Sequence, residues 1–415
     1  MKKWMSRPVI SWAMYDWGNS AFATTVVAAF FPIFYKKYWS AGLEATESTF
    51  YLGTTMSIAA LLFAMVAPFL GSIGDIKGWQ KRGLVAFALF GACCCGLFFF
   101  IPQGQWQGAL LVYGLSWLGF TGGNLFYDSL LVSVTDSKHY NVVSGLGYGL
   151  GYLGGGLLVV VNAMMVTQPA MFGLESPAEG VRWAFLSVGV WWLVFTIPLI
   201  IYVREVKATP NGQDALSGVR EVLKTLSKVR ENKAIFIFLI AYFFYIDGVH
   251  TIYKMAVDFA LSIGMESSDL IKAIVLVQFV GFPATIAMSY LAHKIGTRKG
   301  IFLGLFVYCL VCSVGAFIQT PTHFFILATA LGLVQGGVQA LSRSLFGQMI
   351  PHEHAAEYYG FYNMFGKFSA VLGPFLVGLT SLMFHSPRLS LLAILVLFII
   401  GMVLLAKVPL EKEHS

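Results

Sequence analysis

Twelve times in 415 residues the chain offers a run of roughly 20 mostly apolar residues, the length that crosses a hydrocarbon layer about 30 Å thick as an α-helix. No other feature limits its fold so strongly. The runs fall at 9–35, 50–73, 84–102, 108–134, 142–166, 182–203, 235–261, 270–292, 300–319, 323–349, 357–383 and 389–407. They predict an all-α membrane protein of twelve transmembrane helices. Composition agrees, with 57% hydrophobic residues, only 11% charged and a mean hydropathy of +0.74, which excludes an ordinary soluble domain. The first run is too long, and too polar in its middle, for a cleaved leader, so it reads as a permanent span.

Charge in the connections sets an orientation. With both termini inside, 19 of the 27 lysines and arginines fall before, between or after the spans on the inner side and 5 on the outer side. This asymmetry predicts cytoplasmic termini. It also accounts for the net charge of +7 through loops facing anionic lipid, without nucleic acid as a partner. Cys93, Cys94, Cys95, Cys309 and Cys312 lie inside spans 3 and 9, with no metal-ligand or disulfide-framework spacing.

The chain reads as two related halves, residues 1–203 and 234–415. They are joined by a hydrophilic linker, 204–233, that carries one short amphipathic surface helix. Asp16-Trp17-Gly18-Asn19-Ser20 in span 1 aligns with Asp247-Gly248-Val249-His250-Thr251 in span 7, and Gly122-Gly123 in span 4 with Gly336-Gly337 in span 10. The loop from Gly71 through Asp75 and Gly78 to Lys81-Arg82 aligns with that from Ser289 through His293 and Gly296 to Arg298-Lys299. A glycine, an acid four residues on, a second glycine and a basic cluster resemble the signature loop of the major facilitator superfamily. Such a repeat predicts two pseudo-symmetric six-helix bundles with a solute site between them, the architecture for which this superfamily is a standard example. Gly71 permits close backbone approach, and Asp75, with Lys81 and Arg82, is expected to latch the cytoplasmic side by meeting a helix N-terminus or an arginine. The second half has His293 in place of the acid, which makes an equivalent latch there doubtful. A merely basic inner turn remains the alternative for the whole loop.

Ionised side chains at bilayer depth cost several kcal/mol, roughly, unless they meet a partner or a cavity. This chain keeps Asp16, Asp128, Asp136, Asp247, Lys254, Asp258, Arg343 and Lys367 in or near its spans. In span 7, Asp247, Thr251, Lys254 and Asp258 return to one helical face, bordered by His250. Asn124 and Asp128, Gln335 with Gln339 and Arg343, and Asn363 and Lys367 recur at intervals of four. Arg343 and Lys367 are expected to hold an anionic group of a solute, and Asp16, Asp128 and Asp247 an amine or a proton. Asn19, Tyr127, His250, Gln278, Gln339 and Asn363 are expected to orient the solute midway through the membrane, between spans 1, 4, 7 and 10. Ion pairs that only glue helices together are the competing reading.

Other classes fit less well. Gly360 to Lys367 misses the nucleotide-binding P-loop by one residue and ends on Phe368, so ATP is not the expected drive. Tyr15-Asp16 and Tyr127-Asp128 suggest an intramembrane aspartyl protease, but Gly74-Asp75 lacks the first glycine of the partner motif. No catalytic residue, cofactor or metal site is expected, and the chain is read as no enzyme. A non-transporting receptor, or a facilitator or exporter of amphipathic, lipid-like or drug-like compounds, stays open as an alternative.

The blocks Trp12–Phe22, Asp128–Leu131, Ser144–Gly156, Tyr245–Val249, Val277–Pro283, Gln335–Ser344 and Gly360–Ser369 run through both halves. Together they strongly resemble the bacterial branch of the autophagy-related vacuolar effluxer family within the major facilitator superfamily. The resemblance implies the twelve-helix fold and solute transport, and by analogy with fungal relatives amino-acid export. A multi-pass bacterial inner-membrane protein that works as a monomer, with a proton as coupling ion, is the resulting expectation.

Overall fold

The computed structural model describes residues 5–205, 225–262, 267–315, 320–369 and 390–409, with single positions 222, 317, 372, 373, 376, 377 and 380 between them. Helices follow the apolar runs closely. They are α1 Arg7–Trp39, α2 Ala45–Lys77, α3 Gln80–Leu97, α4 Trp106–Val134, α5 Tyr140–Thr167, α6 Pro177–Tyr202, α7 Lys233–Ser262, α8 Ser267–Ile295, α9 Thr297–Gly315, α10 Pro321–Met349, α11 Ala355–Ser369 and α12 Ser390–Ala406. Ten of them are long and apolar enough to cross a bilayer, and α11 and α12 make the set of twelve. Asp136, expected at the end of span 4, lies one residue past the cap of α4 and bonds the His139 ring in the connection to α5. A residue with so short a polar side chain ends a helix more readily than it extends one into the interface.

The turns show why these helices stop where they do. Gly78 takes φ 63° after α2, donating to the Asp75 carbonyl while Trp79 N–H bonds the Gly74 carbonyl. Gly296, with φ 102°, ends α8 in the same way, its N–H on the Ala292 carbonyl. A left-handed residue that satisfies the last free carbonyls is the usual helix stop, and glycine adopts it without steric cost. The two glycines are also the pair that the repeat aligned.

Packing repeats with a shift of six helices. In the first half α1 packs on α5 and α6, α3 on α4 and α6, and α2 on α4. In the second half α7 packs on α11 and α12, α9 on α10 and α12, and α8 on α10. The halves meet along two seams, α2 against α11 and α5 against α8, which exchange under the same shift. Large apolar side chains such as Leu61, Met65, Phe100, Ile201, Phe306 and Val403 remain on the outside, as a lipid solvent allows. Most of the linker, residues 206–221 together with 223 and 224, lies outside the described residues.

Candidate functional site

The chemistry gathers at one end of α10. Arg343 stands six residues, about 9 Å, from the end of that helix, and Asp128 stands equally far from the end of α4. Arg343 is 1% exposed, and every group that its guanidinium meets belongs to the other half. Nη1 donates to Asp128 Oδ1 at 3.1 Å, Nε to Ser144 Oγ at 2.9 Å and Nη2 to the Ser144 carbonyl at 3.0 Å. Three rings wall the cation in, with centroids 4.4 Å (Tyr148), 4.9 Å (Trp12) and 5.0 Å (Tyr127) from its Cζ. Trp12 and Tyr127 stack at 4.3 Å, and the Trp12 indole N–H is tied to the Tyr127 carbonyl at 2.9 Å. Gly147 makes the room, since a Cβ there would come 2.5 Å from the Tyr127 hydroxyl and 3.0 Å from the Trp12 ring. A charge buried this deeply persists only when its donors are satisfied and an opposite charge is adjacent, and both hold here.

Asp16 adjoins this cluster. Its carboxylate accepts from Ser20 Oγ at 2.9 Å and from the Tyr127 hydroxyl at 3.3 Å. Asn19 bonds Asn124 at 2.6 Å, tying α1 to α4, and Asn363 donates to Asp128 Oδ2 at 3.2 Å from α11. Asp16, Tyr127, Asp128, Arg343 and Asn363 are therefore brought into one network, with Asn19 at its edge. Asp247 is not among the hydrogen-bond or ion-pair partners of Arg343, Asp128 or Asp16. It is fully buried within its own half and accepts from Thr251 at 3.4 Å. Symmetry explains the difference. Asp16 and Ser20 press on Gly151 of α5, and Asp247 and Thr251 press on Gly373, so the aligned acids hold equivalent places in the two halves. The first alone stands beside the arginine.

The remaining expected residues scatter around this core. Lys367 of α11 sets its Nζ 4.9 Å from the centroid of the Trp117 ring, across the seam between halves. Gln339 is half-buried on α10, Gln278 is buried against Gly156 on the α5–α8 seam, and His250 is half-buried on α7. The Lys254 side chain, like that of Asp258, lies outside the described residues. The charged network sits roughly 12 Å from the middle of α10, toward the end with the basic loops, and not at mid-depth. Spans 1, 4, 5, 10 and 11 build it, whereas 1, 4, 7 and 10 were expected. Hydropathy locates a charge along a helix but carries no helix crossing angles, and those angles bring α5 and α11 in.

Beyond the network, toward the basic loops, the seams are shut. Asp75 reaches across from α2 to the start of α11, accepting from the Ala356 N–H at 3.1 Å and the Glu357 N–H at 2.8 Å. It thereby caps another helix, meeting two of the four donors that every helix start leaves open. Gln80 adds a bond of 2.6 Å to the same carboxylate. Gly71 lies so close to the Ala356 backbone that a Cβ would overlap its carbonyl, and at Gly360 of α11 a Cβ would come 2.7 Å from the Pro68 Cα. Lys81 and Arg82 turn elsewhere. Lys81 Nζ caps the end of α6 through the Val203 carbonyl at 2.8 Å, and exposed Arg82 stands 3.8 Å from Glu205. At the α5–α8 seam the close glycine is Gly145 and the His293 ring faces His139, and next to it Asn141 of α5 bonds Thr297 at the start of α9 at 2.9 Å.

A family model described as vacuole effluxer Atg22-like matches residues 38–138 and 132–415. This chain belongs to that family. The uncharacterized MFS-type transporter YxiO of Bacillus subtilis is 37% identical over the whole chain and 97% of its own length. Autophagy-related protein 22-1 of Penicillium rubens is 28% identical over 66% of the chain, which spans about half of that relative. Two solved structures share the fold at 12% identity: the human organic anion transporter MFSD10, TM-score 0.74 over 96% of this chain and 99% of that one, and FucP in its outward conformation, TM-score 0.72 over 99% and 100%. The Atg22-like chain is thus a multi-pass transporter of the major facilitator superfamily, and its relatives are described as transporters rather than enzymes.

Within this Atg22-like protein, sequence reasoning missed Ser144, Tyr148 and Trp117 as members of the site. The run Ser144–Gly156 carried the signal, because a tyrosine at i+4 from a serine between closely spaced glycines has its rim kept open. Asp75→Ala offers a direct check of the seam. Loss of a cap costs about 1 kcal/mol, so the ratio of closed to open protein should fall roughly fivefold. Cross-linking yield between cysteines placed at positions 141 and 297 measures that fall, and an unchanged yield would remove Asp75 from the latch.

Proposed function

We propose that this protein is a secondary transporter that works by alternating access on a small polar or zwitterionic solute, an amino acid or a metabolite of like size. One observation carries the reading. The acids Asp16 and Asp128 stand on the first half, while Arg343 and Lys367 stand on the second. A solute with an amine and a carboxylate matches that division when laid across the seam, replacing one internal pair by two external ones. Asn19, Tyr127, His250, Gln278, Gln339 and Asn363 would orient it, with Asp247 as the second-half counterpart of Asp16. The latch of Asp75 and Gly71 closes one side, which we assign to the cytoplasm because its loops are basic. A bacterial inner membrane, cytoplasmic termini and action as a monomer complete the proposal.

Two carboxylates share one guanidinium here, so a single added proton leaves the network neutral. That arithmetic supports coupling to protons. Export is supported by the family description of a vacuole effluxer. Counterflow tests the reading: liposomes loaded with unlabelled amino acids should accumulate labelled ones from outside, faster under a pH gradient. Label at the level of protein-free liposomes, for amino acids and other dipolar metabolites alike, would refute it.

A further inference from the structure

We infer that the pocket walled by Trp12, Tyr127 and Tyr148 is a binding subsite for the cationic group of a solute, ammonium or guanidinium, which Arg343 occupies as a resident substitute while the basic side is shut. The inference rests on the transport reading above and names which half recognises the cation. Its ground is the composition of the pocket. All three rings, the Asp128 carboxylate, the nearby Asp16 carboxylate and the Ser144 carbonyl come from the first half, so the recognition surface is complete without the second. The second half supplies the occupant and, through Asn363, one bond to the far oxygen of the Asp128 carboxylate. Aromatic faces, a carboxylate and a carbonyl are the groups that hold an organic cation, and each favours it more strongly away from water.

Geometry makes the occupant removable. Arg343 is carried on α10 and reaches α4 and α5 across the interface between the halves, which Asp75 and Gly71 hold shut at the α2–α11 seam, so parting the halves withdraws the guanidinium and leaves the pocket empty. A solute cation and Arg343 then compete for one place. With the cation seated, Arg343 is free to meet the solute's carboxylate. When the seam closes again, the tethered arginine displaces the cation, which is a built-in means of release. The tether gives Arg343 an effective concentration on the order of millimolar, so the free cation must reach that range to compete in the wild type.

Two experiments on the full chain in nanodiscs test this with methylguanidinium as probe and uncharged methylurea as control. In the first, Arg343→Ala empties the pocket. Methylguanidinium should raise the melting temperature of that variant at concentrations at least about tenfold lower than any that move the wild type, and adding Tyr148→Leu should weaken the effect about tenfold. Equal shifts with methylurea, or none with either, would overturn the subsite. The second arm needs no change at Arg343, and so survives if that variant does not fold. In a background without native cysteines, Asn141→Cys and Thr297→Cys report seam closure by cross-linking. Methylguanidinium at tens of millimolar should lower the yield, whereas methylurea and matched sodium chloride should not. If the yield stays constant under all three, the pocket is a lock and no subsite. Failed counterflow with a positive cross-linking response would instead remove the transport reading and leave the cation pocket standing.

Discussion

Arg343→Leu is expected to abolish counterflow and to destabilise the folded protein by roughly 3–5 kcal/mol, because the change leaves Asp128 buried beside Asp16 without the charge that balances them. The double variant Arg343→Leu with Asp128→Leu should recover most of that stability, since apolar groups of similar size replace a buried ion pair at little cost. It should recover none of the exchange. This split separates a structural role from a functional one: melting temperature reports the first, counterflow the second. Stability and exchange returning together would mean that the pair only holds helices, and the site proposed here would be lost.

The second large effect concerns the seam. Gly71→Leu puts a side chain where the Ala356 backbone already lies, and a main-chain carbonyl within a helix start cannot rotate away as a side chain can. Overpacking against backbone costs about 1–3 kcal/mol or more, so closure on that side should become roughly 5- to 150-fold less frequent. The protein should still fold, since the helix packing within each six-helix half does not involve this contact, yet it would be held open toward the basic loops. Cross-linking between positions 141 and 297 should collapse, and exchange should fall with it. Wild-type yields in this variant would show that the α2–α11 seam is not a moving part.

The Asp75 contact shows how far residue patterns reach. A glycine, an acid and a second glycine at fixed spacing imply a turn and a cap, and the acid does cap the start of α11. Nothing in that spacing says that Lys81 and Arg82, a few residues on, belong to α6 and not to the latch. Both readings satisfy a basic inner loop. Only the direction in which α3 leaves the turn chooses between them.

The same division runs through the whole protein. A bilayer is a solvent that constrains each helix by itself, so the number and approximate length of the spans were legible in the chain, whereas the charged network expected midway lies toward one end of α10. Partner choice was not legible, because it depends on how helices cross. Asp16 and Asp247 read as equals in the repeat and hold equivalent places, yet Asp16 stands beside the Arg343 network while Asp247 is buried against Thr251 and Gly373. The tertiary structure alone decided that difference, since a single arginine on α10 can enter only one of two symmetric pockets.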